Sequence, residues 1–234
     1  NYGVYNNGGT FNFYDGRIEG KENQSIYGNV SDVEEEYDVS KYKKGEKEGL
    51  EVEEGREVAI LDQKEVVQVA STGAKYNSIQ KALKNVQDTD TITMLDNVTI
   101  IESAETVKSE TGKDITLDLA GYTVTAGKTI ENSGTLKVID SSKTEEQEAT
   151  GKLVNNRTTL IENMENSTFK FEQGTLEVNA NGTESQYIDI IKNKGQTIVT
   201  GGTITSGSNY INAINNLEQG TVTMTNGTVT LSGS

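Results

Sequence analysis

The sequence has no cysteine, histidine, tryptophan or proline, and only three arginines, Arg17, Arg56 and Arg157. No disulfide framework, thiolate nucleophile, Cys/His zinc site or Ser-His-Asp triad can be assembled from such a chain. Avoiding cysteine altogether suits an exported bacterial surface protein. The 234 residues carry 36 acids against 21 bases, a formal charge of -15. A field of that sign repels nucleic acid and anionic lipid, so neither is expected as a partner. No apolar run approaches the ~18 residues of a membrane span, so no membrane insertion is expected. The chain opens in mid-pattern at Asn1-Tyr2-Gly3, which reads as a mature piece or an excised fragment. Apolar residues are scarce too: with the 24 glycines counted and the 10 tyrosines left out they reach roughly 38%, against the usual ~45–50%. Low apolar content with high charge is also a signature of disorder, so periodicity has to decide.

Periodicity decides for repeats. Ile130-Glu131-Asn132-Ser133-Gly134-Thr135-Leu136-Lys137-Val138 is a template that returns from Ile161-Glu162-Asn163 to Phe171. It returns again from Ile191-Lys192-Asn193 to Val199, and from Ile214-Asn215-Asn216 to Met224. A second short strand opened by glycine follows each copy, at Gly151, Gly174, Gly202 and Gly227. Asn132, Asn163, Asn193 and Asn216 are spaced by 31, 30 and 23 residues, the size of one solenoid coil with loops of variable length. The strands alternate apolar and polar residues, the mark of a half-buried sheet. One coil cannot bury its apolar face alone, whereas stacked coils share a core. A stacked strand is flanked on both sides, where proline would delete a ladder hydrogen bond. The expected fold is therefore all-β, a right-handed parallel β-helix of about six coils with one short N-terminal capping helix. Asn132, Asn163, Asn193, Asn216 and Asn6 are expected to form a structural turn ladder, amide on amide, rather than a row of ligand-binding groups.

The cap precedes the repeats. Ile79, Ala82, Leu83 and Val86 share one face of a short helix, with Asn77 or Ser78 as its N-cap. The stretch from Tyr76-Asn77-Ser78-Ile79 through Asp90-Thr91-Ile92 to Ile100 resembles the opening of the pectin lyase-like, right-handed parallel β-helix superfamily. Asp114–Thr125, Ile130–Ser142 and Gly201–Ser208 resemble repeats of large β-helix proteins secreted by Gram-positive bacteria. The resemblance spans roughly residues 66–234 and implies a bacterial surface setting. It implies little about activity, because one fold hosts many functions.

The expected organisation is a β-helix coil over 1–24 that closes a preceding or neighbouring solenoid, and a connector over 25–65. A cap with its helix over 66–90 and the parallel β-helix over 91–234 complete it. The first segment, Val4-Tyr5-Asn6-Asn7-Gly8-Gly9-Thr10-Phe11-Asn12-Phe13 and then Gly16–Gly20, repeats the template on the wrong side of the cap and would continue naturally from Ser234. The connector carries the acids Asp32, Glu34, Glu35, Glu36 and Asp38, a basic stretch from Lys41 to Lys47, and two alternating runs, Leu50–Val52 and Glu57–Leu61. It is either a small β hairpin or a solvated linker.

Candidates for chemistry are few. Lyases on this fold hold calcium with acids and take a proton with a base, and hydrolases cluster aspartates. The nearest equivalents are Asp114, Asp118 and Asp140 with Lys113 and Lys137 nearby, Arg157 being the one arginine of the expected solenoid, and a lone aspartate at a turn is commonly an Asx turn. Asn7–Thr10 only faintly resembles glycine-rich calcium repeats, lacking their regular aspartates. Threonine alternation, as at Thr221, Thr223 and Thr225, suits ice-binding solenoids, but Lys137, Lys170, Glu177 and Glu19 break the lattice. Tyr2, Tyr5, Tyr14, Tyr122, Tyr187 and Tyr210 are the candidate aromatic contacts for a glycan. The expectation is a non-catalytic extracellular surface module with no cofactor and no metal site, serving as rigid stalk, spacer or adhesin repeat. The alternatives are a fibre subunit joined head-to-tail through residues 1–24, and a polysaccharide lyase or glycoside hydrolase. Expected partners are other copies of the chain, or a host or bacterial glycan or protein.

Overall fold

The chain divides into two compact units, Asn1–Lys64 and Glu65–Ser234. The computed structural model describes residues 2–9, 17–21, 26–27, 43–44, 56–60, 65–100, 108–109, 112–144 and 147–233. The Phe11–Phe13 run, Tyr14, the acids of 32–38 and Leu50–Val52 lie outside the described residues.

In the first unit β1 (Val4–Tyr5), β2 (Arg17–Lys21), β3 (Ile26–Tyr27), β4 (Lys43–Lys44) and β5 (Arg56–Ile60) form two small sheets. β1 pairs with β3 in parallel. β2 pairs with β5 antiparallel, Arg17 opposite Ile60, and β5 pairs antiparallel with β4. Backbone pairing therefore ties Arg17–Lys21 to the segment just before the unit boundary.

The second unit opens with β6 (Val67–Val69), β7 (Lys75–Tyr76) and helix α1 (Ile79–Asn85). Ser78 caps the helix, its Oγ accepting from Lys81 N–H at 3.0 Å. Ile79, Ala82 and Leu83 form its buried face; Val86, the fourth residue of the set in the sequence, is buried too but is the extended C-cap that ends the helix. Strands then come in threes: β8 (Asp90–Met94), β9 (Val98–Ile100) and β10 (Lys108–Ser109), then β11 (Asp114–Asp118), β12 (Thr123–Ala126) and β13 (Ile130–Asn132). The next coils are β14 (Thr135–Ile139), β15 (Lys152–Asn155) and β16 (Ile161–Asn163), then β17 (Thr168–Phe171), β18 (Thr175–Val178) and β19 (Ile188–Asn193). β20 (Gln196–Val199), β21 (Thr203–Ser206) and β22 (Ile211–Asn216) follow, and β23 (Thr221–Met224) and β24 (Thr228–Leu231) end the series.

Each strand pairs in parallel with the strand one coil on, not with its neighbour in sequence, so three parallel sheets run the length of a β-solenoid. The described residues make five complete coils and two strands of a sixth. Period-2 alternation places apolar columns under each sheet. Ile92, Leu117, Val138, Phe171 and Val199 line the first sheet, and Val124, Leu153, Leu176 and Ile204 the second; Ile130, Ile161 and Ile191 line the third, all of them buried. Burying each such side chain contributes about 1.5–3 kcal/mol, which a single coil would forgo.

The N-terminal end carries a feature the periodicity does not announce. β6 lies antiparallel to β8, with Val67 opposite Met94, and β7 lies antiparallel to β6. An antiparallel strand closes the first sheet with a pairing that differs from the coil-to-coil ladder, and it works with α1 to cover Ile92 and Met94, which are 1% exposed. No helix among the described residues is long and apolar enough to cross a membrane.

Candidate functional site

The third sheet carries an internal column of amides. In β13, β16, β19 and β22 the middle residue of Ile-x-Asn points outward, and the flanking pair points in. Register sets Asn132 beside Asn163, Asn163 beside Asn193, and Asn193 beside Asn216. Asn132 Nδ2 donates to Asn163 Oδ1 at 2.7 Å, Asn163 Nδ2 to Asn193 Oδ1 at 2.8 Å, and Asn193 Nδ2 to Asn216 Oδ1 at 2.7 Å. The second amide hydrogen of each reaches the backbone of the next coil, at Thr168 O, Gln196 O and Thr221 O (2.9–3.0 Å). Ser167 Oγ and Thr197 Oγ1 donate to Asn163 and Asn193 from inside the core, and Ser109 Oγ begins the column at Asn132 Oδ1. Asn163 thereby uses both hydrogens and both lone pairs at zero exposure. An amide so placed offers nothing to a ligand.

Asn6 belongs to the first unit, where its Oδ1 accepts from Gly9 N–H at 3.0 Å. Asn155 is a buried amide at the end of β15 that no repeat in the sequence marks. Its Oδ1 accepts from the Arg157 and Thr158 N–H groups, and its Nδ2 donates to Lys128 O and Thr159 O. It occupies the core column that Ala126 and Val178 fill in the adjacent coils, so no repeated asparagine announces it.

The carboxylates with candidate chemistry hold turns. Asp118 Oδ1 accepts from Ala120 N–H and Ser141 N–H, both at 2.9 Å. Asp140, fully buried, accepts from Gly121 N–H at 2.7 Å and Ser142 N–H at 3.1 Å on one oxygen, and from Gly151 N–H at 2.5 Å on the other. Gly121 has φ +87°, and a Cβ at Gly151 would stand 2.8 Å from Asp140 Cγ; both glycines let the backbone close on the carboxylate. Asp118 and Asp140 do sit on adjacent coils, Asp118 opposite Ile139. Asp118 bridges its coil to the next through Ser141 N–H, and Asp140 bridges its coil to the one before through Gly121 N–H. Asp114 is exposed, and its N–H donates to Asp88 Oδ1 at 2.8 Å. Lys137 stands on the outward column between Thr116 and Lys170. Arg157 is exposed in the turn that Asn155 holds. Among the described residues no group of three acids is placed to hold a metal ion.

Asp90 sits where the cap meets the first coil. Burial pushes its carboxyl pKa up, but bonds from Ser71 Oγ and from the N–H groups of Thr91, Ser71 and Gln87 outweigh that and hold it below the ordinary value. On the outside of the third sheet Glu162 accepts from Lys194 Nζ at 2.9 Å and pairs with Lys192 Nζ at 3.2 Å. Partial burial raises the Glu162 pKa and the two ammonium groups lower it further, for a net depression; Lys194 is raised by the same contact. Lys152 and Glu177 pair at 3.3 Å outside the second sheet.

Tyr2, Tyr5, Tyr27 and Tyr187 are exposed, and Tyr210 is half-buried. In the first unit Tyr5 and Tyr27 stack at 4.6 Å with Tyr2 tilted against both. In the second unit Tyr187 and Tyr210 meet edge to face at 5.7 Å, while Tyr122 packs against the core. No protein-family model, curated protein or solved structure significantly matches the chain.

Proposed function

We propose that the protein is a non-catalytic extracellular surface module of a bacterium, whose solenoid works as a rigid spacer or adhesin repeat. The observation that carries this reading is the saturated amide column: the polar groups buried in the solenoid bond coil to coil and to backbone. Of the acids best placed by sequence for hydrolysis or elimination, Asp118 accepts two backbone N–H groups on Oδ1, and Asp140 accepts backbone N–H groups on both oxygens. A carboxylate held by two or three backbone donors serves the turn in which it sits. Cross-coil bonding on three faces makes a stiff element, and the net charge of -15 on the whole chain keeps the protein solvated. The resemblance of the cap and coils to pectin lyase-like solenoids of secreted Gram-positive proteins supports the extracellular setting.

Two measurements test the proposal on the full chain. Stretched between tethers at its two ends, the solenoid should keep its length under low load and then lengthen abruptly. Gradual, coil-by-coil lengthening at low load would refute the spacer role. Incubated with a panel of acidic and neutral polysaccharides, the chain should release no reducing ends or unsaturated sugars. Turnover that Asp118→Asn or Asp140→Asn removes while the fold persists would make it an enzyme.

A further inference from the structure

The first and last coils of the described solenoid differ. At the N-terminal end antiparallel β6 and helix α1 cover the first coil. At the other end β22, β23 and β24 each keep one edge unpaired among the described residues. The residues that extend the core columns there, Val222, Met224, Val229 and Leu231, are 38–43% exposed, whereas Val199 and Ile204, one coil earlier, are buried. The amide column stops at the same place, with Asn216 Nδ2 turned onto Gly220 O at 2.9 Å.

The first unit holds a strand of the type this end lacks a partner for. Val4-Tyr5-Asn6 repeats the apolar-x-Asn pattern of Ile214-Asn215-Asn216. Asn6 Oδ1 accepts a following glycine N–H (Gly9, 3.0 Å), as Asn132 Oδ1 does from Gly134 (3.3 Å). β1 and β3 pair in parallel at an offset of 22 residues, Val4 beside Ile26. That is the offset of one coil, since Ile191 and Ile214 lie 23 apart and Thr116 and Lys137 lie 21 apart. Antiparallel β5 on β2 repeats the arrangement of β6 on β8. The sequence joins as well: Ser232-Gly233-Ser234 read on into Asn1-Tyr2 repeats Ser206-Gly207-Ser208-Asn209-Tyr210, the lead into β22. β1 and β2 each have one edge unpaired among the described residues.

We propose that the open end of the solenoid binds the first unit of a second copy of this chain. β1 adds in parallel to β22, with Val4 beside Ile214, Tyr5 beside Asn215 and Asn6 beside Asn216, so that the amide ladder runs across the joint. The free edge of β2 adds to β24. Main-chain pairing supplies the affinity and the alternating columns supply the register, as in strand addition generally. The joint uses different surfaces on the two copies, so it is heterologous and propagates head to tail. It is independent of the spacer reading, because a spacer works as a monomer and an enzyme would stack equally well.

The chain is free of cysteine, which makes the test clean. Tyr5→Cys and Asn215→Cys in one full-length chain place two thiols in register at the joint. Under oxidising conditions at high micromolar protein the double variant should give covalent dimers and a ladder of higher multimers on a non-reducing gel. Each single variant should give at most dimers. Val229→Lys in the same background changes a residue already 43% exposed, so it should keep the circular dichroism spectrum while the multimers are lost. Monomer alone, whether open or closed by an internal disulfide, overturns the proposal. So do multimers that persist in the Val229→Lys background.

Discussion

Asn163 donates its Nδ2 hydrogen to Asn193 Oδ1 at 2.8 Å, a bond between residues 30 apart in the chain and adjacent in space. It joins two coils inside a core that water does not reach. Each unmade buried hydrogen bond there costs the desolvation of the group left behind, about 1–3 kcal/mol.

Asn163→Ala should therefore destabilise the solenoid by about 3 kcal/mol, because Asn132 Nδ2, Asn193 Oδ1 and Gln196 O all lose a partner. Asn216→Ala, at the exposed end of the column, should cost about 1 kcal/mol. Urea midpoints of the two variants check the ranking. Equal losses would mean that the column does not act as a buried network.

Asp90 contributes stability that depends on pH. Its folded-state pKa is depressed below the ordinary 3.8. The contribution is therefore complete above that unfolded value and is lost as pH falls through the lower folded value. Asp90→Asn should weaken the fold by about 1–2 kcal/mol near neutrality, and the gap to the parent should close in acid below the folded value. Denaturation series over pH measure the gap; a constant difference would assign the role to shape rather than charge.

Gly151→Ala would push a Cβ to 2.6 Å from Leu119 Cβ and 2.8 Å from Asp140 Oδ2. Neither neighbour can retreat, Leu119 being in the core and Asp140 bonded to three N–H groups. A loss of about 3 kcal/mol is expected by thermal melting. Gly207→Ala, whose Cβ would meet nothing closer than Ser232 Oγ at 3.8 Å, should stay within about 0.5 kcal/mol of the parent.

Glu162 lies on the outside, and its two lysine partners are partly solvated. Glu162→Gln should cost less than about 1 kcal/mol, and the difference should vanish in ~1 M salt. A large loss that salt does not touch would point to packing instead of charge.

The strand period, the inward and outward faces and the capping helix were all legible in the chain, because each depends on residues within a few positions of one another. Ile-x-Asn recurring at coil spacing is enough to put Asn132, Asn163, Asn193 and Asn216 in one register. Ile79, Ala82 and Leu83 are enough to give a helix its buried side. What each polar group bonds to was decided only by the stack, since the partner of a strand in a solenoid lies a whole coil away along the chain. Asp118 and Asp140 look alike as turn residues or as catalysts until Ser141 N–H and Gly151 N–H are seen to take their oxygens. Asn155 gives no signal because the residues above and below it are Ala126 and Val178. The antiparallel direction of β6 on β8, and of β5 on β2, is likewise a property of the partner. Alternation says which side of a strand is buried and is silent on which way its neighbour runs.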